Sequence, residues 1–196
     1  MKRPLDETAL DTLFREARSY NRWTGDALPE TKLRALYDLL KMGPTSANCC
    51  PARFVFVSSR EGKEKLAKCV HDANIVKVQQ APVTAIIAMD EKFYEKVPYL
   101  FPHKPEIAEA FKEPKLGNAT MMRNATLQGA YLILAARALG LDTGPMSGFS
   151  NDKVDAAFLA DTSYKSNFLC ALGAGTNEHL FARSPRLSFE EACRMA

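Results

Sequence analysis

Long apolar runs are missing from this sequence: nothing approaches the roughly 18 consecutive apolar residues that a membrane-crossing helix needs, so no such segment is expected. The opening Met1-Lys2-Arg3-Pro4-Leu5-Asp6-Glu7 lacks the apolar core of a signal peptide. A soluble, cytoplasmic chain is the expectation. Histidine is scarce, and His71, His103 and His179 stand far apart without a Cys or carboxylate at ligand spacing. No metal site is expected. The five cysteines are an odd number with no C-x-x-C pair, so neither a zinc anchor of that type nor a disulfide framework is expected. An excess of one charge is lacking too: 26 basic and 23 acidic side chains are interleaved along the chain and leave a net +3. Nucleic acid is not expected as a partner.

Several catalytic signatures are also lacking. Gly144-Pro145-Met146-Ser147-Gly148 places its serine one position too late for a G-x-S-x-G turn. Gly173-Ala174-Gly175 starts like a dinucleotide fingerprint, but Glu178 stands at its third glycine position. No P-loop, EF-hand or paired-carboxylate spacing is found. What remains is a set of loops rich in Gly, Ser, Thr and Asn with scattered cations. That composition suits a bound organic cofactor that carries the chemistry while the protein orients it.

The chain has 196 residues, 46% of them hydrophobic, enough for one compact domain over 1–196. Apolar spacing predicts helices over about 6–20, from Pro29 to Leu40, and over 61–71, with one short turn at 74–80. Strands are predicted at 54–58, 82–89 and 167–173. Residues 92–116, rich in Pro, Phe, Tyr and Lys, read as a lid-like insertion of short helices. A long apolar helix follows over 118–139 and stops at Gly140; after it come a loop at 142–149 and a helix near 151–159.

Two segments stand out as binding candidates. Gly43-Pro44-Thr45-Ser46-Ala47-Asn48-Cys49-Cys50 sets small and amide side chains just before a strand, where backbone can close on a flat polar ligand. Adjacent Cys49 and Cys50 read as small packed residues, with a reactive thiol as the alternative. Arg18-Ser19 offers a guanidinium fork beside a hydroxyl, which suits a phosphate ester, although an Arg at a helix end also caps carbonyls.

Arg18-Ser19-Tyr20-Asn21-Arg22-Trp23 resembles the R-x-S-x-R/K-x-F/W element of the FMN-dependent nitroreductase family. Pro44, Thr45, Ser46 and Asn48, leading into Pro51-Ala52-Arg53-Phe54, resemble that family's P-S-x-x-N-x-Q-P loop, with Cys50 at its usual Gln. Asn74 and Lys77 fit its N-x-x-K element, Gly140 to Phe149 fits G-L-x-x-x-P-x-x-G-F, and Ala182-Arg183-Ser184-Pro185 resembles its terminal element. The resemblance implies an α+β nitroreductase-like fold, a small mixed sheet flanked by helices, and a homodimer with FMN sites at the interface. It implies that Arg18, Ser19 and Arg183 hold the phosphate end and that Asn21 lies near the flavin ring. Asn74 and Lys77 would approach the pyrimidine side, and the backbone of Pro145, Met146, Ser147 and Gly148 would run beside N5 and O4. The Pro44 to Asn48 loop would come from the partner subunit.

Each residue has a plainer reading: Asn74 as a helix cap, Lys77 facing water, Arg183 paired with Glu190 or Glu191. Within the family the likeness is to the malonic semialdehyde reductase branch of the Rut pyrimidine-degradation pathway. That implies reduction of 3-oxopropanoate by NADH or NADPH, with flavin N5 as the reacting atom and no protein nucleophile. A broad nitro- or quinone reductase, a non-catalytic flavin binder and a cofactor-free interaction protein remain open. A carboxylated substrate needs a cation, for which Arg123 and Lys104 are the candidates.

Overall fold

The computed structural model describes residues 3–196. Its frame is a four-stranded sheet in the order β1-β2-β4-β3, formed by β1 (Ala52–Val57), β2 (Val83–Asp90), β3 (Asp142–Met146) and β4 (Tyr164–Gly173). All three ladders are antiparallel. Parallel pairing, expected from a mixed sheet, enters among the described residues only as the isolated Ser19–Thr143 bridge.

Every residue of β2 is buried, because helices cover both faces of the sheet and leave no solvent side for polar alternation. On one face Ala85, Ile87, Cys170 and Leu172 pack with Leu36 and Leu40 of α2 (Glu30–Leu40) and Leu132, Ala135 and Ala136 of α7 (Pro114–Ala138). On the other, Ile86, Leu169 and Ala171 pack with Leu66 of α3 (Arg60–Ala67), Val78 of α4 (Asp72–Gln80) and Val154 of α8 (Asn151–Val154). The insertion supplies α5 (Val97–Leu100) and α6 (Ile107–Ala110), and its Phe93, Val97 and Phe111 form a third cluster with Cys49 and Met121.

Three predicted elements differ: the short turn expected at 74–80 is the nine-residue helix α4, and two others change more. The first helix is shorter than 6–20: α1 (Glu7–Leu10) runs into one π turn, Asp11–Arg15, which leaves Arg18 and Ser19 in extended chain. More than half of the predicted 142–149 loop is strand β3, hidden from pattern reading by Gly144-Pro145. Proline is tolerated there because β3 is an edge strand, where no ladder partner needs its missing N–H. The tail holds one more short helix, α9 (Phe189–Ala192), closed by a capping box between Ser188 and Glu191. Among the described residues no helix is long and apolar enough to cross a membrane.

The sheet fixes where its two loop-bearing corners lie. β1 and β3 are opposite edges, three inter-strand spacings or roughly 14 Å apart. Ala52 pairs with Met89 at one end of β2, whereas Thr143 pairs with Leu172, which lies opposite Val83 at the other end. Six residues of strand add about 20 Å, so the corners are roughly 25 Å apart on the diagonal.

Candidate functional site

At the β3 corner the chain doubles back on itself. Tyr20 N–H donates to the Thr143 carbonyl at 3.0 Å and Trp23 bridges Gly175, which lays residues 19–23 along the sheet edge. The tail then folds over this segment. Asn21 donates to the His179 carbonyl at 3.3 Å, Arg18 to the Phe181 carbonyl, and Arg183 to the Ala17 carbonyl at 3.0 Å. Arg183 therefore does not pair with Glu190 or Glu191, and Glu191 is occupied in the α9 cap.

Between these strands of chain lies a cavity of about 330 Å³ whose lining includes Arg18, Ser19, Arg137, Arg183 and Arg186. Among the described residues no carboxylate lines it. Arg186 donates to the Ser184 and Pro185 carbonyls, and Asp142 stands with Arg18 and Arg137 in the adjoining pocket, so positive charge exceeds negative here and an anion is favoured. Arg137 was not singled out by sequence. In the last turn of α7 it reads as a cation complementing the helix dipole, and only the fold turns it toward Arg18. It donates to the Leu13 carbonyl at 2.8 Å, but its buried Nε has no partner, nor has the Thr143 hydroxyl beside it. Burial is the main cause that holds its pKa below the usual value; nearby Arg183 acts in the same direction, while Cys170 and Asp142 oppose it.

Farther along the same edge, Lys77 projects from α4 and is 6% exposed, so the water-facing reading is overturned. Among the described residues no carboxylate pairs with it. Burial is the main cause that pushes its pKa down, and nearby Arg22 adds to the effect. Asn74 is not the cap of α4, a position held by His71; its amide donates to the Gly148 carbonyl at 3.0 Å. His71 N–H donates to the same carbonyl at 2.9 Å. A side chain at Gly148 would place its Cβ 2.8 Å from the Asn74 amide nitrogen, so glycine is needed for this close approach. Pro145 lies in β3, the buried Met146 side chain anchors the strand to the core, and Ser147 is exposed. The structure thus brings Arg18, Ser19, Asn21, Asn74, Lys77, Pro145 to Gly148 and Arg183 to one sheet edge.

The Pro44, Thr45, Ser46 and Asn48 loop is not brought there. It lies at the β1 corner with Ala47, Asn48 and Cys50 at φ of 48°, 47° and 38°, left-handed values interrupted at right-handed Cys49 that L-residues adopt only when contacts hold them. The Asn48 amide donates to the Leu100 carbonyl at 2.8 Å and Cys50 N–H donates to the Thr45 hydroxyl at 3.2 Å. Cys49 is fully buried, and burial pushes its thiol up to about 11, which fits packing rather than reactivity. Arg123 and Lys104 are exposed. Both belong to elements that touch this loop: Arg123 adjoins Asn124 of α7, and Lys104 follows Leu100 in the insertion.

A small antiparallel sheet covered on both faces, with cations gathered along one edge, defines an α+β protein with an anion-attracting sheet edge. The sequence model of the nitroreductase family matches residues 14–175, and the chain belongs to this family. A protein of Stenotrophomonas maltophilia is 57% identical over 197 residues and spans 100% of both chains. One of Ralstonia pickettii, HadB, is 55% identical over 191 residues, 96% of this chain and 97% of the other. Both carry the provisional name NADH dehydrogenase/NAD(P)H nitroreductase. Among solved structures, a provisionally named nitroreductase in complex with FMN from Exiguobacterium sibiricum superposes with a TM-score of 0.86 at 20% identity, covering 100% of this chain and 99% of the other. An enone reductase of gut-bacterial fatty acid saturation metabolism gives 0.82 at 17% identity, covering 98% and 99%.

Proposed function

We propose that the chain is an FMN-dependent NAD(P)H oxidoreductase, acting as a homodimer, with reduction of malonic semialdehyde to 3-hydroxypropanoate as its favoured reaction. The observation that carries the cofactor reading is the cavity of Arg18, Arg137, Arg183 and Arg186, four cations against the single neighbouring carboxylate of Asp142, whose excess positive charge and orphaned Arg137 Nε fit a phosphate ester. The relatives' names supply NAD(P)H, and the structural neighbour from Exiguobacterium sibiricum, solved in complex with FMN, supplies the flavin.

Bound FMN supplies a site that accepts a hydride from the nicotinamide and passes it to the substrate. The protein contributes position and charge. Arg18, Ser19 and Arg183 hold the phosphate end, with Arg137 as a further guanidinium behind them. Asn21 lies next to them, with its amide committed to the tail. Lys77 is a buried cation with no counter-charge, so negative charge developing on a nearby ring is stabilised there more than in water. Asn74 keeps its amide on the Gly148 carbonyl and fixes the course of the Pro145 to Gly148 backbone. In this reading the loop of Pro44, Thr45, Ser46 and Asn48 closes the site from the partner subunit, since in its own chain it lies at the opposite edge of the sheet.

The aldehyde reading rests on the whole-chain sequence likeness, with exposed Arg123 and Lys104 as cations for the carboxylate. The relatives' names, together with the exposed Tyr99 of the insertion, favour a second reading as a broad nitro- or quinone reductase. An absorbance spectrum of purified protein before and after anaerobic NADH or NADPH tests the cofactor and the reaction class. A flavin band that bleaches supports the proposal; a colourless chain that takes up no FMN ends it. Turnover of 3-oxopropanoate and of a nitroarene at equal NADH then separates the two substrates.

A further inference from the structure

Three side chains of α7 hold the backbone of the Pro44 to Asn48 loop at two points and the start of β1 behind it at a third. Tyr131 Oη donates to the Pro44 carbonyl at 2.9 Å, Asn124 Oδ1 accepts from Ser46 N–H at 2.8 Å, and Gln128 Oε1 accepts from Ala52 N–H at 2.8 Å. Spaced at i, i+4 and i+7, they fall on one face of the helix. Asn124 and Gln128 are 2% and 5% exposed, inside an otherwise apolar layer where polar groups are costly unless used. Gly43 presses on the Tyr131 ring so closely that a Cβ there would come within 2.1 Å of it. Between these anchors lie the left-handed residues Ala47, Asn48 and Cys50. The Ser46 side chain is exposed, and none of the side-chain hydrogen bonds found in the loop engages its hydroxyl.

We infer that Asn124, Gln128 and Tyr131 are positioning residues: they hold this loop, in its own subunit, in the strained shape that presents Ser46 to the FMN of the partner subunit. This inference rests on the FMN reading above. Without the clamp the left-handed residues relax, and the ligand must restore their shape on binding, which weakens affinity. The residues touch no ligand themselves.

The test compares Asn124→Leu, Asn124→Asp and Tyr131→Phe with wild type. The readouts are FMN affinity by fluorescence quenching, amide exchange at Ser46, and thermal unfolding of the FMN-free chain. Asn124→Leu removes the acceptor and is expected to weaken FMN binding tenfold or more, with faster Ser46 exchange. Asn124→Asp keeps the acceptor for Ser46 N–H but loses the Nδ2 donation to the Thr120 carbonyl, so it is expected to lower the unfolding temperature while keeping Ser46 exchange slow and FMN affinity nearer to wild type than Asn124→Leu does. Tyr131→Phe removes a single hydroxyl, leaves the fold in place, and is expected to cost two- to fivefold. Faster Ser46 exchange in Asn124→Leu at unchanged FMN affinity overturns the inference, as does a loss of affinity in Asn124→Asp equal to that in Asn124→Leu while Ser46 exchange stays slow. If Asn124→Leu fails to fold, Tyr131→Phe decides: unchanged affinity with a loosened loop overturns the clamp. A wild-type chain that binds no FMN overturns the functional reading instead, and slow Ser46 exchange in that chain would show the clamp to be structural only.

Discussion

The β3 corner and the β1 corner use polar groups in opposite ways. At the β3 corner Arg18, Arg137, Arg183 and Arg186 surround a cavity without a carboxylate, Lys77 is buried without a counter-ion, and Arg137 Nε has no partner. At the β1 corner the backbone of the loop and of the start of β1 is bound by Tyr131, Asn124 and Gln128, and Asn48 is spent on Leu100. One corner is unfinished and asks for a ligand. The other is finished and offers a shaped wall. Roughly 25 Å separate the Thr143 end of one edge from the Ala52 end of the other, a spacing that suits the proposed pairing of the two corners between two chains.

The largest expected effect comes from the unfinished corner. Replacing Arg18 and Arg183 together by Ala removes two charge-assisted contacts to phosphate, about 3 kcal/mol or more, or at least a hundredfold in FMN affinity. Calorimetric titration measures it, and a loss below threefold would move the phosphate elsewhere. Next is Lys77→Met. Removing a buried, uncompensated cation is expected to stabilise the FMN-free chain by about 1 kcal/mol in urea unfolding, while slowing flavin reduction by NADH in stopped flow. A Met variant less stable than wild type would mean that Lys77 has a partner in the chain.

A smaller effect is expected from Ser46→Ala at the finished corner. Its hydroxyl is free of the loop's own bonds, so FMN affinity should fall by about 1 kcal/mol with the unfolding temperature unchanged. A change in melting temperature without a change in affinity would place that hydroxyl inside the fold.

The smallest effect concerns pH. Burial raises the folded-state pKa of Cys49, beside the loop, to about 11 and that of Cys170, behind β3, to about 12. A raised thiol pKa contributes stability that is complete below the unfolded value near about 8.5 and is lost as pH climbs toward the folded values. The depressed pKa of Lys77 works the other way between its folded value and its ordinary one, but it is a single group against two thiols. Urea midpoints of the FMN-free chain should therefore fall from pH 8.5 upward, and less steeply in Cys170→Ala. A flat profile in wild type would show these thiols to be wetter than their burial implies.

Sequence pattern reached the β3 corner well because its residues belong to short, ordered motifs: Arg18-Ser19, Asn74 with Lys77, Pro145 to Gly148, Arg183. Arg137 escaped because nothing local marks it; its role depends on where the tail crosses the end of α7, a long-range event. Strand β3 escaped because Gly144-Pro145 is a turn signal everywhere except on a sheet edge. The polar clamp on α7 was hidden for a related reason. Asn124 and Gln128 interrupt an apolar helix face, and in sequence such a break looks like exposure until the loop is seen docked against it.

The central claim is that each FMN site is built from the arginine corner of one subunit and the loop corner of the other. A mixed dimer tests it most directly: one chain carries Arg18→Ala with Arg183→Ala, its partner carries Ser46→Ala with Asn124→Leu, and FMN stoichiometry is measured on the purified heterodimer. Each homodimer has two damaged sites. The account predicts that the heterodimer regains one high-affinity FMN site, where the intact arginines of one chain meet the intact loop of the other. A heterodimer in which both sites stay weak would show that the two corners serve the same chain, and would contradict it.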